Sequence, residues 1–159
     1  MGTDSALALA GFCLAAFAAA SSGALFKPDA WYRTLRKPGW TPPPWVFPAV
    51  WTPLYVMIAV SGWLAWGQSG LFVAPMAIYL VQLLLNAGWS AVFFGMRRPD
   101  LAFGELVLLW LSIVATMLGF APISAAAAWL LAPYLLWVTI AGVLNLSVWR
   151  LNPDRFAQA

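Results

Sequence analysis

The stretch from Leu101 to Phe120 reads LAFGELVLLWLSIVATMLGF, and Glu105 is its single charged residue. A bilayer-spanning α-helix uses about 20 predominantly apolar residues, so this stretch alone predicts a transmembrane helix. Similar apolar runs lie on both sides of it, at about residues 4–26, 44–66, 71–95 and 125–149. The predicted fold class is therefore an all-α membrane protein, a bundle of five transmembrane helices in a single domain, residues 1–159.

The composition agrees with a membrane protein. Of the 159 residues, 64% are hydrophobic and 8% are charged, whereas a soluble domain has about 25% charged residues. Five spans with short connections use nearly the whole chain. This leaves no room for an extramembrane catalytic domain.

Several kinds of chemistry are excluded by what the chain lacks. There is no histidine, which is the commonest general base and a common zinc and haem ligand. The single cysteine, Cys13, excludes an intrachain disulfide and is interpreted as a small buried hydrophobe. We predict no metal site and no required cofactor. The first apolar run is interpreted as a retained helix, because Asp4 and the absence of a basic residue before it do not fit a signal peptide.

The basic residues predict the orientation. All eight lie in the first loop, the third loop or the C-terminal segment. With five spans these three segments share one face of the membrane, and loops rich in Lys and Arg stay in the cytoplasm. The N-terminus is therefore expected outside, with loop 1 and the C-terminus cytoplasmic. Topology also accounts for the net charge of +3, so no nucleic-acid partner is predicted.

Polar and aromatic side chains within the spans suggest a site. Gln82, Asn86 and Trp89 share one face of the third helix by their spacing, and Asn145 aligns with residues of the fifth helix. One interpretation is that the amides hydrogen-bond between helices, at about 0.6 kcal/mol each. The other is a pocket whose aromatic faces suit a flat polycyclic ligand. That pocket would be lined by Trp51, Tyr55, Asn86, Trp89, Trp137 and Ala141.

The first loop, residues 27–43, is long for a connection between helices, and such loops are often lids. It contains four basic residues as well as Trp31, Tyr32 and Trp40. Its cations could bind the carboxylates of an anionic amphiphile while its indoles cover an apolar body. The alternative is that the loop follows the positive-inside rule and has no further role.

Small residues recur every fourth position in two helices, which allows close backbone approach. One stripe is Ala87, Ala91 and Gly95, the candidate homodimer seam; the other runs from Gly11 to Gly23 in the first helix. The sequence leaves open which stripe serves which purpose. Glu105, near the start of its helix, is expected to pair with Arg97 or Arg98 or to be hydrated, with a proton-relay role as the alternative.

The segment from Trp31 to Pro43, WYRTLRKPGWTPP, resembles the signature first loop of the translocator protein family. These are the tryptophan-rich sensory proteins (TspO/MBR), also called peripheral-type benzodiazepine receptors. Further segments resemble the second, third and fifth helices of the family in order: Trp45–Pro48, Trp51–Tyr55, Gln82–Asn86 continuing to Gly95, Pro133–Trp137 and Leu144–Arg150.

The resemblance implies a five-helix bundle, usually dimeric, with a pocket closed by the first loop. Family members bind porphyrins such as protoporphyrin IX, cholesterol, and benzodiazepine-site ligands. The sterol motif proposed for the fifth helix requires a tyrosine that Leu144 to Arg150 lacks, which weakens the expectation of sterol specificity. The predicted ligand-binding residues are Trp31, Trp40, Trp51, Tyr55, Gln82, Asn86, Trp89, Tyr134, Trp137, Ala141 and Leu144.

We therefore expect a membrane receptor, transporter or sensor for porphyrins, with sterols as a second ligand class, in a bacterial inner membrane. Two alternatives stay open. One is light- and oxygen-dependent porphyrin degradation, in which Trp51 and Trp137 would be the acting residues. The other is a dimeric regulatory scaffold. The chain offers no hydrolytic triad, metal site or phosphate loop, so any catalysis would use the photochemistry of the bound porphyrin.

Overall fold

A computed structural model describes residues 2–155, and every regular element in that range is helical. Met1 and residues 156–159, the ends of the predicted domain, lie outside the described residues. The elements are α1 Thr3–Leu25, α2 Ala30–Thr34, α3 Val46–Ser69, α4 Ala74–Ser90 continued by a π-helical turn Ala91–Gly95, α5 Pro99–Phe120, α6 Ala125–Leu130, α7 Ala132–Leu151 and a 3₁₀ turn Pro153–Arg155.

Five segments of the described chain are long and apolar enough to cross a membrane. They are α1, α3, α4 with its π-helical turn, α5, and α6 together with α7. This confirms the prediction of an all-α bundle with five transmembrane helices. The fifth span is not one continuous helix, however.

The break in the fifth span lies at Leu131. Ser124 caps α6 by accepting a hydrogen bond from the Ala127 backbone N–H at 3.3 Å. Pro133, predicted inside a continuous helix, instead lies in the first turn of α7. A proline is tolerated there because that backbone N–H would have no helical partner in any case.

Three other helix ends differ from the prediction. The second span, predicted to end at about residue 66, continues to Ser69 and is followed by Gly70. Gly70 ends α3 with φ 74°, a conformation that glycine adopts without strain. The third span begins at Ala74 with Pro75 in its first turn, and the fourth begins at Pro99. Both starts follow the preference of proline for the first helical positions.

The helices α1, α3 and α4 approach each other closely at Gly62. A Cβ on this residue would lie 2.6 Å from Cζ of Tyr79 and 2.8 Å from Cδ1 of Phe12. The buried face of α1 consists of Phe12, Ala16 and Ala19. Cys13 lies beside that face and is exposed, so the prediction that it is buried is wrong. The physical reason is that α1 is peripheral and packs through one narrow face only.

Candidate ligand-binding site

Aromatic rings from α3 and α7 meet inside the bundle. The indole of Trp51 stacks on Tyr55, with ring centroids 5.2 Å apart and planes inclined by 27°. Its edge meets the ring of Tyr134 at 6.0 Å, and Phe47 packs edge-on against Trp137 at 6.0 Å. Phe47 was not among the predicted site residues, although it lies one helical turn before Trp51.

Asn86 of α4 joins these two helices. It accepts a hydrogen bond from the Tyr55 hydroxyl at 2.5 Å and donates one to the Tyr134 hydroxyl at 3.0 Å. Tyr134 is fully buried, and Asn86 is 6% exposed. Three spans are thus connected at one point by polar groups that are buried or partly buried in the bundle. We call Trp51, Tyr55, Asn86, Tyr134 and Trp137 the pocket cluster.

Two buried polar side chains near this level of the bundle lack hydrogen-bond partners. Gln82 is 0% exposed, and neither its amide nitrogen nor its amide oxygen bonds to a described residue. The indole Nε1 of Trp137 is likewise buried without a partner within residues 2–155. An unpaired buried donor or acceptor costs about 1–3 kcal/mol, so these atoms are free to bind a polar group that enters the bundle.

A second group of rings lies towards the start of α5. Trp89 stacks on Phe93 at 5.0 Å and donates its indole N–H to Asn145 at 3.2 Å. The Asn145 amide donates to the Pro99 carbonyl at 2.6 Å, which ties α7 to the start of α5. Leu144 is buried beside this group. Phe93 was missed by the sequence analysis, although it lies one turn after Trp89.

Residues 27–43, the lid, are ordered around the short helix α2. Asp29 caps α2 by accepting from the Tyr32 backbone N–H at 3.1 Å and forms a 2.9 Å salt bridge with Arg97. The hydrogen bond from the Tyr32 N–H, and then Arg97, hold the pKa of the Asp29 carboxyl below its usual range. Trp31 and Tyr32 pack edge-on against Phe93, at 6.2 and 6.0 Å. Burial raises the pKa of the Tyr32 phenol.

The far end of the lid is attached to the end of α7. Leu35 is buried, and the Arg36 backbone N–H and carbonyl both bond to the side-chain amide of Asn152, at 2.9 Å each. Asn152 also donates to the Val148 carbonyl at 2.7 Å and is 6% exposed. The sequence analysis missed Asn152. The only signal was an amide placed directly after the last apolar helix.

The structure brings most of the predicted site residues into the two aromatic groups. Ala141 packs against the main hydrophobic core, and Trp89 packs against both this core and the cluster that contains Phe93. Trp40 is 50% exposed and stays apart from them. In the candidate dimer seam, Ala87 and Ala91 are partly buried, and Gly95 lies against Phe26, whose ring a Cβ there would meet at 2.9 Å.

Glu105 is placed differently from its expectation. Arg97 pairs with Asp29, and Arg98 pairs with Asp100 at 2.6 Å. The Glu105 carboxylate instead packs against Gly88 of α4, and its Oε2 is buried without a hydrogen bond to any described residue. The expected pairing with Arg97 or Arg98 is therefore wrong. Both arginines are paired with aspartates at the starts of α2 and α5.

Two cavities lie outside the pocket cluster. One, of about 220 Å³, is a wholly apolar groove between α5 and α7. The other, of about 140 Å³, is polar and lies between the lid and the C-terminal segment. Within the pocket cluster the Trp51 ring contacts those of Tyr55 and Tyr134, so a ligand would have to separate them.

Comparison with known proteins places these features in context. The model of the TspO/MBR family matches residues 7–150. The tryptophan-rich sensory protein of Cereibacter sphaeroides is 43% identical over 98% of this chain and 97% of its own length. The tryptophan-rich protein TspO of Chlorobaculum tepidum is 46% identical over 90% and 92% of the two chains. The human translocator protein is 40% identical over 77% and 75%.

Proposed function

The chain belongs to the TspO/MBR family of membrane proteins, and from this premise we propose that it is a receptor, transporter or sensor for porphyrins such as protoporphyrin IX. The porphyrin binds at the pocket cluster, and the lid closes over it. Sterols and benzodiazepine-site ligands are the other apolar ligand classes within the proposal.

The observation that carries this proposal is the unpaired indole N–H of Trp137 beside aromatic rings from two helices. Aromatic faces give a flat conjugated ligand about 0.5–1.5 kcal/mol per stacked pair beyond simple burial. The buried N–H of Trp137 gains a hydrogen-bond partner when a polar edge of the ligand reaches it. Binding therefore removes the free-energy cost that this unpaired donor imposes on the ligand-free protein. One site thus supplies both apolar contact and orientation.

Entry of the ligand requires movement of Trp51. Its ring fills the space between Tyr55 and Tyr134. An edge-to-face contact contributes about 0.5–1.5 kcal/mol, and a porphyrin replaces it with a larger aromatic face. The helices can keep their positions during this exchange, because the Asn86 hydrogen bonds do not involve the indole.

The proposal is tested by equilibrium titration of the purified, detergent-solubilised protein with protoporphyrin IX in the dark, followed by porphyrin absorbance. We expect Trp137→Phe to raise Kd about tenfold, because it removes a donor to the ligand and shortens the ring. Trp129→Phe is the matched control, since Trp129 is 73% exposed on the outer side of α6. Equal porphyrin affinities of the wild-type protein and Trp137→Phe would show that the porphyrin does not bind at the pocket cluster.

Two further proposals concern assembly and location. Two copies of the chain associate through the partly buried stripe that includes Ala87 and Ala91, because small residues allow close helix contact. An unchanged mass in light scattering on Ala87→Leu would contradict this seam.

The protein lies in a bacterial inner membrane with the lid and C-terminus on the cytoplasmic side, as the distribution of basic residues favours.

A further inference from the structure

A polar cleft separates the lid from the C-terminal segment. Its volume is about 140 Å³, well above the roughly 10–15 Å³ that one ordered water needs. The cleft does not belong to the pocket cluster. Its lining consists of Thr34 and Arg36 from the lid and Leu151, Asn152, Asp154 and Arg155 from the end of the chain.

Hydrogen bonds hold the two chain segments of the cleft together, although Arg36, Asp154 and Arg155 are themselves exposed. The Asn152 side-chain amide accepts a hydrogen bond from the Arg36 backbone N–H and donates one to the Arg36 carbonyl, at 2.9 Å each. Across the cleft, Arg155 donates to the Thr34 hydroxyl at 2.7 Å. These contacts join chain segments 116 and 121 residues apart. The two guanidinium groups are therefore attached to a preformed frame.

The donors of the cleft are largely unused. Within the described residues, the Arg36 guanidinium has no hydrogen-bond or ion-pair partner, and Arg155 uses one N–H on Thr34. An arginine has five N–H donors in a planar fork that matches the oxygen atoms of phosphate and carboxylate groups. Most of these donors face no protein acceptor, so the cleft is equipped to bind an anion.

The charge of the cleft selects the class of anion. Arg36 and Arg155 contribute two positive charges, and Asp154 contributes one negative charge. The balance is one positive charge, which matches a phospholipid headgroup whose net charge is minus one, such as that of phosphatidylglycerol. In phosphatidylcholine the choline ammonium neutralises the phosphodiester and would be repelled by the two arginines. A phosphomonoester dianion would be opposed by the Asp154 carboxylate.

The position of the cleft indicates where such a group comes from. It lies at the C-terminal end of α7. The lid and the turn between α4 and α5 that contains Arg97 meet at the same end of the bundle. Basic pockets at the ends of transmembrane helices bind anionic lipid headgroups. A phosphodiester of the surrounding bilayer is therefore available at this depth without a separate binding partner.

We propose that this cleft is a binding site for the phosphodiester headgroup of an anionic phospholipid, which bridges Arg36 of the lid and Arg155 of the C-terminal segment. The bound headgroup fastens the lid to the end of α7. An anionic leaflet then stabilises the closed lid, whichever ligand the pocket cluster takes.

The test uses the full chain in nanodiscs of phosphatidylcholine, with and without phosphatidylglycerol, and measures Tm and hydrogen exchange of the lid. We expect phosphatidylglycerol to raise Tm and slow exchange. Arg36→Gln should need about tenfold more phosphatidylglycerol for the same effect, because it removes one charged partner while leaving the backbone bonds to Asn152 in place. Arg155→Gln should behave alike.

Arg33→Gln is the matched control, since Arg33 is an exposed lid arginine that does not line the cleft. It should respond to phosphatidylglycerol like the wild-type protein. An equal loss in Arg33→Gln and Arg36→Gln would show general surface attraction and overturn the site. In a third condition, inorganic phosphate is added to the protein in nanodiscs of pure phosphatidylcholine. A rise in Tm equal to that caused by phosphatidylglycerol would show that free phosphate occupies the cleft and would contradict the lipid proposal.

Discussion

At the scale of single residues, the amide side chains of Gln82 and Asn86, one helical turn apart on α4, differ in hydrogen bonding. Asn86 satisfies two tyrosine hydroxyls on two other helices. Gln82 is more deeply buried and bonds to no described residue. Replacing a hydrogen-bonded amide leaves the polar atoms of its partners unpaired, which lowers stability. Replacing an unpaired buried amide instead removes the free-energy cost of burying its polar atoms. Their effects on stability should therefore differ in sign.

We predict that Asn86→Leu lowers the free energy of unfolding of the ligand-free protein by about 1–2 kcal/mol, since the Tyr55 and Tyr134 hydroxyls lose their partner inside the bundle. Gln82→Leu, a substitution of similar size on the same face, should leave stability unchanged or raise it. Reversible unfolding in mixed micelles measures both. A loss of stability in Gln82→Leu as large as that in Asn86→Leu would contradict the assignment of these hydrogen bonds.

At the scale of elements, the lid depends on attachments at its two ends. Asp29 caps α2 and pairs with Arg97, and Asn152 holds the backbone of Arg36. Between them, Leu35 is buried beside Phe93. The lid is thus a docked element whose opening requires release of at least one attachment, which links ligand entry to polar groups outside the pocket cluster.

The Asp29 attachment has a defined pH dependence. Its pKa in the docked lid is lowered from 3.8, first by the Tyr32 backbone N–H. A carboxyl with a depressed pKa contributes stability that is fully present above the undocked value and is lost as pH falls through the docked value. We therefore predict that docking is constant above about pH 3.8 and weakens below it.

Hydrogen exchange of the lid, corrected for intrinsic rates, measures this effect. Asp29→Asn keeps a capping oxygen but has no charge, so its lid protection should be lower at neutral pH and independent of acid. Asp29→Ala loses the cap as well and should exchange fastest. Wild-type protection that declines already between pH 7 and pH 5 would show that another group controls the docking.

At the scale of the whole molecule, the basic residues are confined to one end of the bundle. All eight basic residues lie in segments at the lid end, and contacts such as the Arg97–Asp29 pair join these segments. The loop at the opposite end of α3 contains no basic residue. The assembled bundle thus keeps the separation of basic residues from which the positive-inside rule predicts an orientation.

We predict that the lid end faces the cytoplasm. The single native cysteine is replaced by Cys13→Ala, and single cysteines are then introduced as Gln68→Cys or Arg33→Cys. Both positions are exposed, at opposite ends of the bundle. A membrane-impermeant maleimide added to intact bacterial spheroplasts should label only Gln68→Cys, and permeabilisation should add Arg33→Cys. The reverse pattern would invert the orientation.

The sequence by itself determined the fold class, the five spans and the residue types that form the aromatic groups, because helix length and apolar runs are local properties. It also named Trp51 and Tyr55, one helical turn apart, among the pocket residues, and the structure has them stacked. Helix ends were less accurate where the backbone continued through polar residues, as at Ser69. The break at Leu131 was hidden because the sequence on both sides of it is apolar.

Only the tertiary structure decided which polar groups have partners. Gln82 and Asn86 have equivalent positions in the helical pattern, yet two tyrosines reach only one of them. The attachment of Arg36 to Asn152 spans 116 residues, and the packing of Glu105 on Gly88 joins two different helices. Helical periodicity assigns a face to each residue, but its partner depends on where another helix crosses that face.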